Sequence, residues 1–257
     1  MVCMRFTLIT GASSGIGEEF ARQYAKRGHS LILTARSSDK LNQLAAELCS
    51  QYNVQIHVIE QDLSQINSAE ELYKKCQSLG VTINFLINNA GVGLIGKFDT
   101  HEINKIQDML ILNVVTLTKI SYLFLPDLKK TQGTLLNVAS QAAFEPSPSM
   151  ASYAATKSYV LSFTEAIRVE LKDSKVNVMA LCPGPTYTKF FERAKSSPND
   201  INFKFRTTEE VVTVAIDGIN KQKDIAIPGL ENKVFTFFTR LLPRSLLAKL
   251  SQYNVNK

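Results

Sequence analysis

Residues 6 to 24 constrain the fold more than any other stretch. An apolar run, Phe6 to Ile9, leads into Thr10-Gly11-Ala12-Ser13-Ser14-Gly15-Ile16-Gly17, after which Ile16, Phe20 and Tyr24 recur at i, i+4 and i+8. The short apolar run predicts a strand, and the four-residue spacing predicts a helix with one apolar face. The unit is therefore strand, glycine turn, helix. Gly11 permits the tight turn, while Gly15 and Gly17 allow backbone to approach a phosphate and helix to approach strand. Amides opening such a helix present partial positive charge to a pyrophosphate. Ser13 and Ser14 suit turn or phosphate contacts in the same place.

The alternation continues along the chain. Strands are predicted at Arg5–Thr10, Ser30–Ala35, Gln55–Glu60, Asn84–Asn88, Thr134–Ala139, Lys175–Leu181 and Asp224–Ile227. Helices are predicted at Asp39–Gln51, Ala69–Ser78, Glu102–Leu123, Met150–Lys172 and Glu209–Asn220. Strands covered on both faces by crossover helices give an α/β, doubly wound, seven-stranded and mostly parallel sheet. At 257 residues, 45% of them hydrophobic, the chain suits one domain with a full core. Two parts break the rhythm: a substrate loop at about 185–206, and a C-terminal amphipathic extension at about 231–257. No apolar stretch of bilayer-spanning length and no signal peptide is expected. Cys3, Cys49, Cys76 and Cys182 lack paired spacing, and His29, His57 and His101 are isolated. That argues against a metal site and a disulfide scaffold, and for a reduced, cytoplasmic protein. No nucleophile-elbow motif supports a Ser–His–Asp triad.

Tyr153 and Lys157 lie four residues apart in Tyr153-Ala154-Ala155-Thr156-Lys157. On a helix they share a face, one turn apart. A free phenol titrates near ~10 and works poorly as an acid–base group at neutral pH, whereas a neighbouring cation favours its phenolate. The same spacing also arises between surface residues by chance, so the pair needs company. The net charge of +6 is concentrated at the end of the chain, where Lys233, Arg240, Arg244, Lys249 and Lys257 face no acidic residue. With those five set aside the chain stands at +1, which is not the basic face of a nucleic-acid binder.

Company is found when the motifs are taken in order: Thr10–Gly17, Asp62-Leu63, Asn88-Asn89-Ala90-Gly91, Asn113, Ser140, Tyr153/Lys157 and Pro183-Gly184. This series resembles the short-chain dehydrogenase/reductase family in its compact single-domain form, over residues 5 to 228. The resemblance implies a Rossmann-type fold and a nicotinamide cofactor on Gly11, Ser13, Ser14, Gly15, Ile16 and Gly17. Asp62 would accept from the adenine amino group with Leu63 against the ring, although an aspartate there also suits a helix N-cap. Asn89, Ala90 and Gly91 would border the cofactor. Asn113 would hold a water in a proton relay, and Ser140 would hydrogen-bond the substrate carbonyl. Tyr153 would be the proton donor, and Lys157 would lower its pKa and contact the nicotinamide ribose. Pro183, Gly184 and Thr188 would hold the nicotinamide carboxamide, with Thr186 a weaker choice. Homo-dimers or homo-tetramers formed through the helices carrying Asn113 and Tyr153 are also implied.

The second strand ends Leu33-Thr34-Ala35-Arg36-Ser37. Ala35 stands where a carboxylate would bind ribose hydroxyls, and Arg36 offers a forked, charge-assisted contact to a 2′-phosphate. NADP(H) is therefore the expected cofactor. The expected substrate wall is Val92, Leu94, Ala142, Ala143, Phe144, Met150, Tyr187, Phe190 and Phe191, which suits an apolar ketone or aldehyde. The same residues also suit a core. Reduction of β-ketoacyl thioesters in lipid metabolism is the alternative, and a non-catalytic NADP(H) sensor is the remote one. In the tail, apolar residues from Phe235 to Leu250 interleave with Arg240, Arg244 and Lys249, and Pro243 divides two short helices. Two readings stay open: a cover over the pocket or subunit contact, which is preferred, and weak docking on an anionic membrane surface.

Overall fold

The computed structural model describes residues 5–190, 194 and 204–253. Seven strands form one sheet in the order β3-β2-β1-β4-β5-β6-β7. They are β1 Arg5–Thr10, β2 Ser30–Ala35, β3 Ile56–Glu60, β4 Thr82–Asn88, β5 Thr134–Val138, β6 Asn177–Leu181 and β7 Ile225–Ala226. Every neighbouring pair is parallel, so the expected "mostly parallel" sheet is parallel throughout. Strand order reverses direction between β1 and β4. At such a switch point the connecting helices diverge to opposite faces and leave a crevice beyond the carboxyl ends of the strands.

Alternation along each strand builds two cores. Leu31 and Leu33 of β2, Phe85 and Ile87 of β4, and Met179 and Leu181 of β6 face one side. There they meet α1 (Gly15–Lys26), α2 (Ser38–Tyr52) and α7 (Thr208–Asn220) through residues such as Phe20, Leu41 and Val211. Ile32, Leu86 and Val178 point the other way, toward Leu72 of α3 (Ser68–Ser78) and Phe124 of α5 (Leu117–Thr131). Val160 and Leu161 of α6 (Ala151–Glu170) pack with Ala180 and Cys182 in a third cluster. Burying a side chain of this size contributes about 1.5–3 kcal/mol. The register is pinned, because a one-residue slip would turn every such residue to the wrong face.

One helix differs from expectation. The segment predicted at Glu102–Leu123 runs as α4 (Ile103–Leu110), a π turn (Ile111–Thr116) and α5, with Pro126 inside. The helix from Ile103 to Thr131 is also long and apolar enough to cross a bilayer, which corrects the expectation of no such stretch. Leu117, Ile120, Phe124 and Leu128 are nevertheless buried against the sheet and its neighbours, as in a core helix. The tail forms α8 (Leu230–Phe238) and α9 (Arg244–Tyr253), divided at Pro243 as the sequence predicts.

Candidate active site

A cavity of about 820 Å³ opens at the switch point. At one end its wall is Gly11, Ser13, Ser14, Gly15 and Ile16. Gly15 has φ +61, a left-handed conformation that costs glycine nothing. Gly17 does not reach the wall but holds it in place. A Cβ there would lie 2.4 Å from the Gly11 carbonyl oxygen and 2.5 Å from Asn89 Nδ2. Asn89 Nδ2 donates to the carbonyls of Thr10 (2.9 Å) and Gly11 (3.3 Å), and Thr10 Oγ1 accepts from the amides of Asn89 and Ala90 at 2.9 Å each. The ends of β1 and β4 are thus laced together beneath the turn. Small residues and close-lying backbone at this end form a cradle suited to a pyrophosphate.

Further along the wall stand Arg36, Asp62, Leu63 and the run Asn89-Ala90-Gly91. Asp62 is half-buried, and burial pushes its carboxyl up. The Ser64 amide (3.0 Å), the Ser64 hydroxyl (2.8 Å) and the charge of Arg36 outweigh that and hold it below its usual range. Asp62 therefore stays a carboxylate, able to accept from an amino group. Its side chain fixes the turn at Ser64 and is not a helix N-cap, because α3 begins only at Ser68, after Asn67. Leu63 is nearly wholly buried in the core, with its carbonyl accepting from Thr116 Oγ1 at 2.9 Å.

At the other end, Ser140, Tyr153 and Lys157 converge on the cavity. Ser140 follows β5, and its Oγ accepts from the Ala142 amide at 3.1 Å. Lys157 Nζ donates to the Val138 carbonyl at 2.8 Å and lies 5.9 Å from the centre of the Tyr153 ring. Burial pushes the Tyr153 phenol up to about 12, with the Ser140 hydroxyl pulling against it. Burial also pushes Lys157 down to about 8. This differs from the expected pairing: burial rather than the lysine governs the phenol here, because Lys157 is turned to the end of β5. Tyr153 is accordingly a protonated phenol at neutral pH, the form a proton donor requires.

Asn113 lies in the π turn, buried behind Leu112 rather than on the cavity wall. Its Oδ1 accepts from the Val92 amide (3.1 Å), and its Nδ2 donates to the Val92 carbonyl (2.9 Å) and Thr156 Oγ1 (3.1 Å). These bonds tie the loop after β4 to α6. The π turn, closed by i→i+5 rather than i→i+4 bonds, shifts the side-chain register around Asn113 from that of α4.

Pro183, Gly184 and Thr188 line the cavity, as does Thr186. Thr188 leans over the glycine turn, with its Cγ2 3.0 Å from where a Gly15 Cβ would sit. Thr186 is buried and donates to the Gly184 carbonyl at 2.9 Å, so it shapes the loop. Of the expected substrate wall, Val92, Leu94, Ala142, Met150 and Phe190 line the cavity. Ala143 and Phe144 pack into the third core cluster, drawn there by α6. Tyr187 lies in a neighbouring depression against Phe205, and Phe191 is outside the described residues.

Several residues have no signal in the sequence. Gly93 has no Cβ to block Phe190, whose ring packs 5.3 Å from that of Tyr153. Gln141 and Asn232 press on Gly184 from two sides, at 2.7 and 2.6 Å from a hypothetical Cβ. Ser251 of α9 reaches the cavity and donates to Glu145 Oε2 at 2.5 Å. Burial pushes the Glu145 carboxyl up and the Ser251 bond pulls it back.

Comparisons with known proteins agree with this geometry. The family model described as short chain dehydrogenase matches residues 5–199. The very-long-chain 3-oxoacyl-CoA reductase of Anas platyrhynchos is 31% identical over 96% of this chain and 80% of its own length. A short-chain dehydrogenase from Sphingobium yanoikuyae, solved in complex with NADPH, superposes with a TM-score of 0.82 at 32% identity, covering 88% of each chain. The bulky-bulky ketone specific alcohol dehydrogenase of Comamonas testosteroni gives a TM-score of 0.77 at 29% identity, covering 92% of each.

Proposed function

The chain belongs to the short chain dehydrogenase family and is an oxidoreductase with a nucleotide cofactor, and we propose that it reduces an apolar ketone or aldehyde with NADP(H). The observation that carries this reading is the meeting of Ser140, Tyr153 and Lys157 in one cavity with the glycine cradle. Bound NADPH supplies the hydride. As negative charge builds on the carbonyl oxygen, Tyr153 donates its proton and the Ser140 hydroxyl stabilises the charge by a hydrogen bond. Lys157 holds a positive charge behind the tyrosine and a donor for the nicotinamide ribose. Asn113 acts as a positioning residue by fixing Val92 and α6.

NADP(H) is favoured by Ala35 followed by Arg36 on the cavity wall, and by the NADPH in the Sphingobium relative. The apolar substrate is favoured by Val92, Leu94, Met150 and Phe190. The name of the Anas relative favours a second reading, reduction of a β-ketoacyl thioester. A non-catalytic sensor is disfavoured because the full reactive set is present. We also place the protein in the cytoplasm as a homo-dimer or homo-tetramer. Leu110, Val115 and Tyr122 on the helix bearing Asn113, and Tyr159 on α6, are exposed and suit a subunit contact.

The deciding experiment measures NADPH and NADH oxidation against bulky ketones, aldehydes and β-ketoacyl thioesters, with Tyr153→Phe beside the wild type. Loss of the proton donor should lower turnover about 10²–10⁴-fold while cofactor affinity stays nearly unchanged. Near-normal turnover in Tyr153→Phe would sink the mechanism. Tight NADPH binding without any turnover would favour the sensor.

A further inference from the structure

Helix α8 is amphipathic in the inverted sense. Its inward face is Asn232 and Thr236, continued by Thr239 just after its end, spaced i, i+4, i+7, and all three are buried. Each satisfies its side chain on nearby backbone: Asn232 donates to the Pro228 carbonyl (2.7 Å), Thr236 to Lys233 (3.0 Å) and Thr239 to Thr236 (2.9 Å). The outward face carries Val234, Phe237, Phe238 and Leu241, with Phe237 60% and Leu241 65% exposed. Helix α9 extends the surface: Leu247 and Ser251 turn inward, while Leu246 and Leu250 stay exposed. A water-facing helix places polar residues outside. In α8 the arrangement is reversed, and Leu246 and Leu250 of α9 add to its exposed apolar residues; exposed apolar surface of this kind marks an interaction site.

Charge identifies the occupant. Lys233, Arg240, Arg244 and Lys249 are exposed around the apolar residues. No acidic residue follows Glu231, which is itself paired with Arg206. A second copy meeting this face about a twofold axis would bring the same cations against each other, because such an interface is self-complementary. An anionic lipid leaflet accepts both features, apolar side chains at the acyl boundary and lysine or arginine among the headgroups. We infer that α8 and α9 form a docking platform for an anionic membrane surface. Because α9 also delivers Ser251 to the cavity wall beside Glu145, the platform adjoins the cavity.

The test is sedimentation of the full chain with vesicles of phosphatidylcholine alone and of phosphatidylcholine mixed with phosphatidylglycerol. The protein should sediment with the mixed vesicles, less so as salt rises, and weakly with phosphatidylcholine. Phe237→Ser with Leu241→Ser, and separately Arg240→Glu with Arg244→Glu, should each lower partitioning at least tenfold. All four side chains are exposed, so NADPH binding and melting temperature serve as folding controls. Failure of the wild type to sediment with mixed vesicles would overturn the inference, as would sedimentation that survives both double variants. So would a shift to a smaller oligomer in both variants without any vesicle binding, which would mark a subunit contact. Sedimentation requires no turnover, so this result and that for carbonyl reduction stand or fall separately.

Discussion

Replacing Lys157 by methionine isolates what a buried ammonium costs this fold. The side chain is 5% exposed, and burial lowers its pKa from 10.5 to about 8. At about 1.36 kcal/mol per tenfold, that gap corresponds to roughly 3 kcal/mol held against the protonated folded state. The sign follows from proton counting. Between pH 8 and 10.5 the unfolded chain keeps a proton on Lys157 that the folded chain has shed, so wild-type stability rises with pH across that window. Below about 8 both states are protonated and the full cost is present. A methionine side chain cannot titrate, so the Lys157→Met variant lacks this rise.

Taking the difference between the two proteins removes what they share. Tyr153 is pushed from 10.0 to about 12 by burial, which lowers stability as pH climbs above 10, and this slope is common to both. The packing change and the loss of the bond to the Val138 carbonyl shift the variant by an amount independent of pH. Urea unfolding at steps from pH 7 to 10.5, without cofactor, should therefore show wild type gaining about 3 kcal/mol on Lys157→Met. Parallel profiles, or a gap that moves the other way, would refute a buried lysine with a depressed pKa. The same titration strips positive charge from behind Tyr153 above pH 8, so the wild-type curve also marks the pH range over which the lysine can serve catalysis.

Other outcomes follow from single contacts. Arg36→Ala should weaken NADPH roughly 10- to 100-fold by losing a charge-assisted bond of about 1.5–3 kcal/mol, with NADH little changed in fluorescence titration. Equal loss for both would make Arg36 structural. Gly17→Ala forces a Cβ to 2.4 Å from the Gly11 carbonyl, a backbone atom that cannot step aside. The variant should lose about 1–3 kcal/mol in stability and bind either cofactor poorly, and an unchanged melting temperature would show that the turn is looser than this packing implies.

Residues whose role is set by local pattern were legible in the sequence. The predicted β1 and β2 match the observed spans, because each is a short run buried on both faces over nearly its whole length. Ser140, Tyr153 and Lys157 were legible because each sits at a fixed place on a strand end or a helix face, and the sheet brings those places together. The burial of the pair was not. Its effect on both pKa values depends on α6 lying against β5 and β6, a tertiary fact absent from a four-residue spacing. The predicted end of the helix at Leu123 was short for a related reason. Packing of Ile120, Phe124 and Leu128 on the sheet sustains the helix past Pro126 to Thr131.

The tail shows how the same pattern can yield the right elements with the wrong side facing in. Its apolar residues recur at helical spacing, and such a stripe ordinarily turns toward the core. The residues of α8 and its C-terminal end that turn inward are Asn232, Thr236 and Thr239, whose polar groups close onto backbone carbonyls three or four residues earlier. Asn232 also presses on Gly184, so its small polar side chain fits where a phenylalanine would collide with the loop that follows β6. The apolar stripe is thereby displaced to the surface together with its cations. Periodicity gives the existence of a stripe; what it faces is decided by the shape of the loop at Gly184, which pairs cavity construction with an exposed, basic, apolar surface in one step.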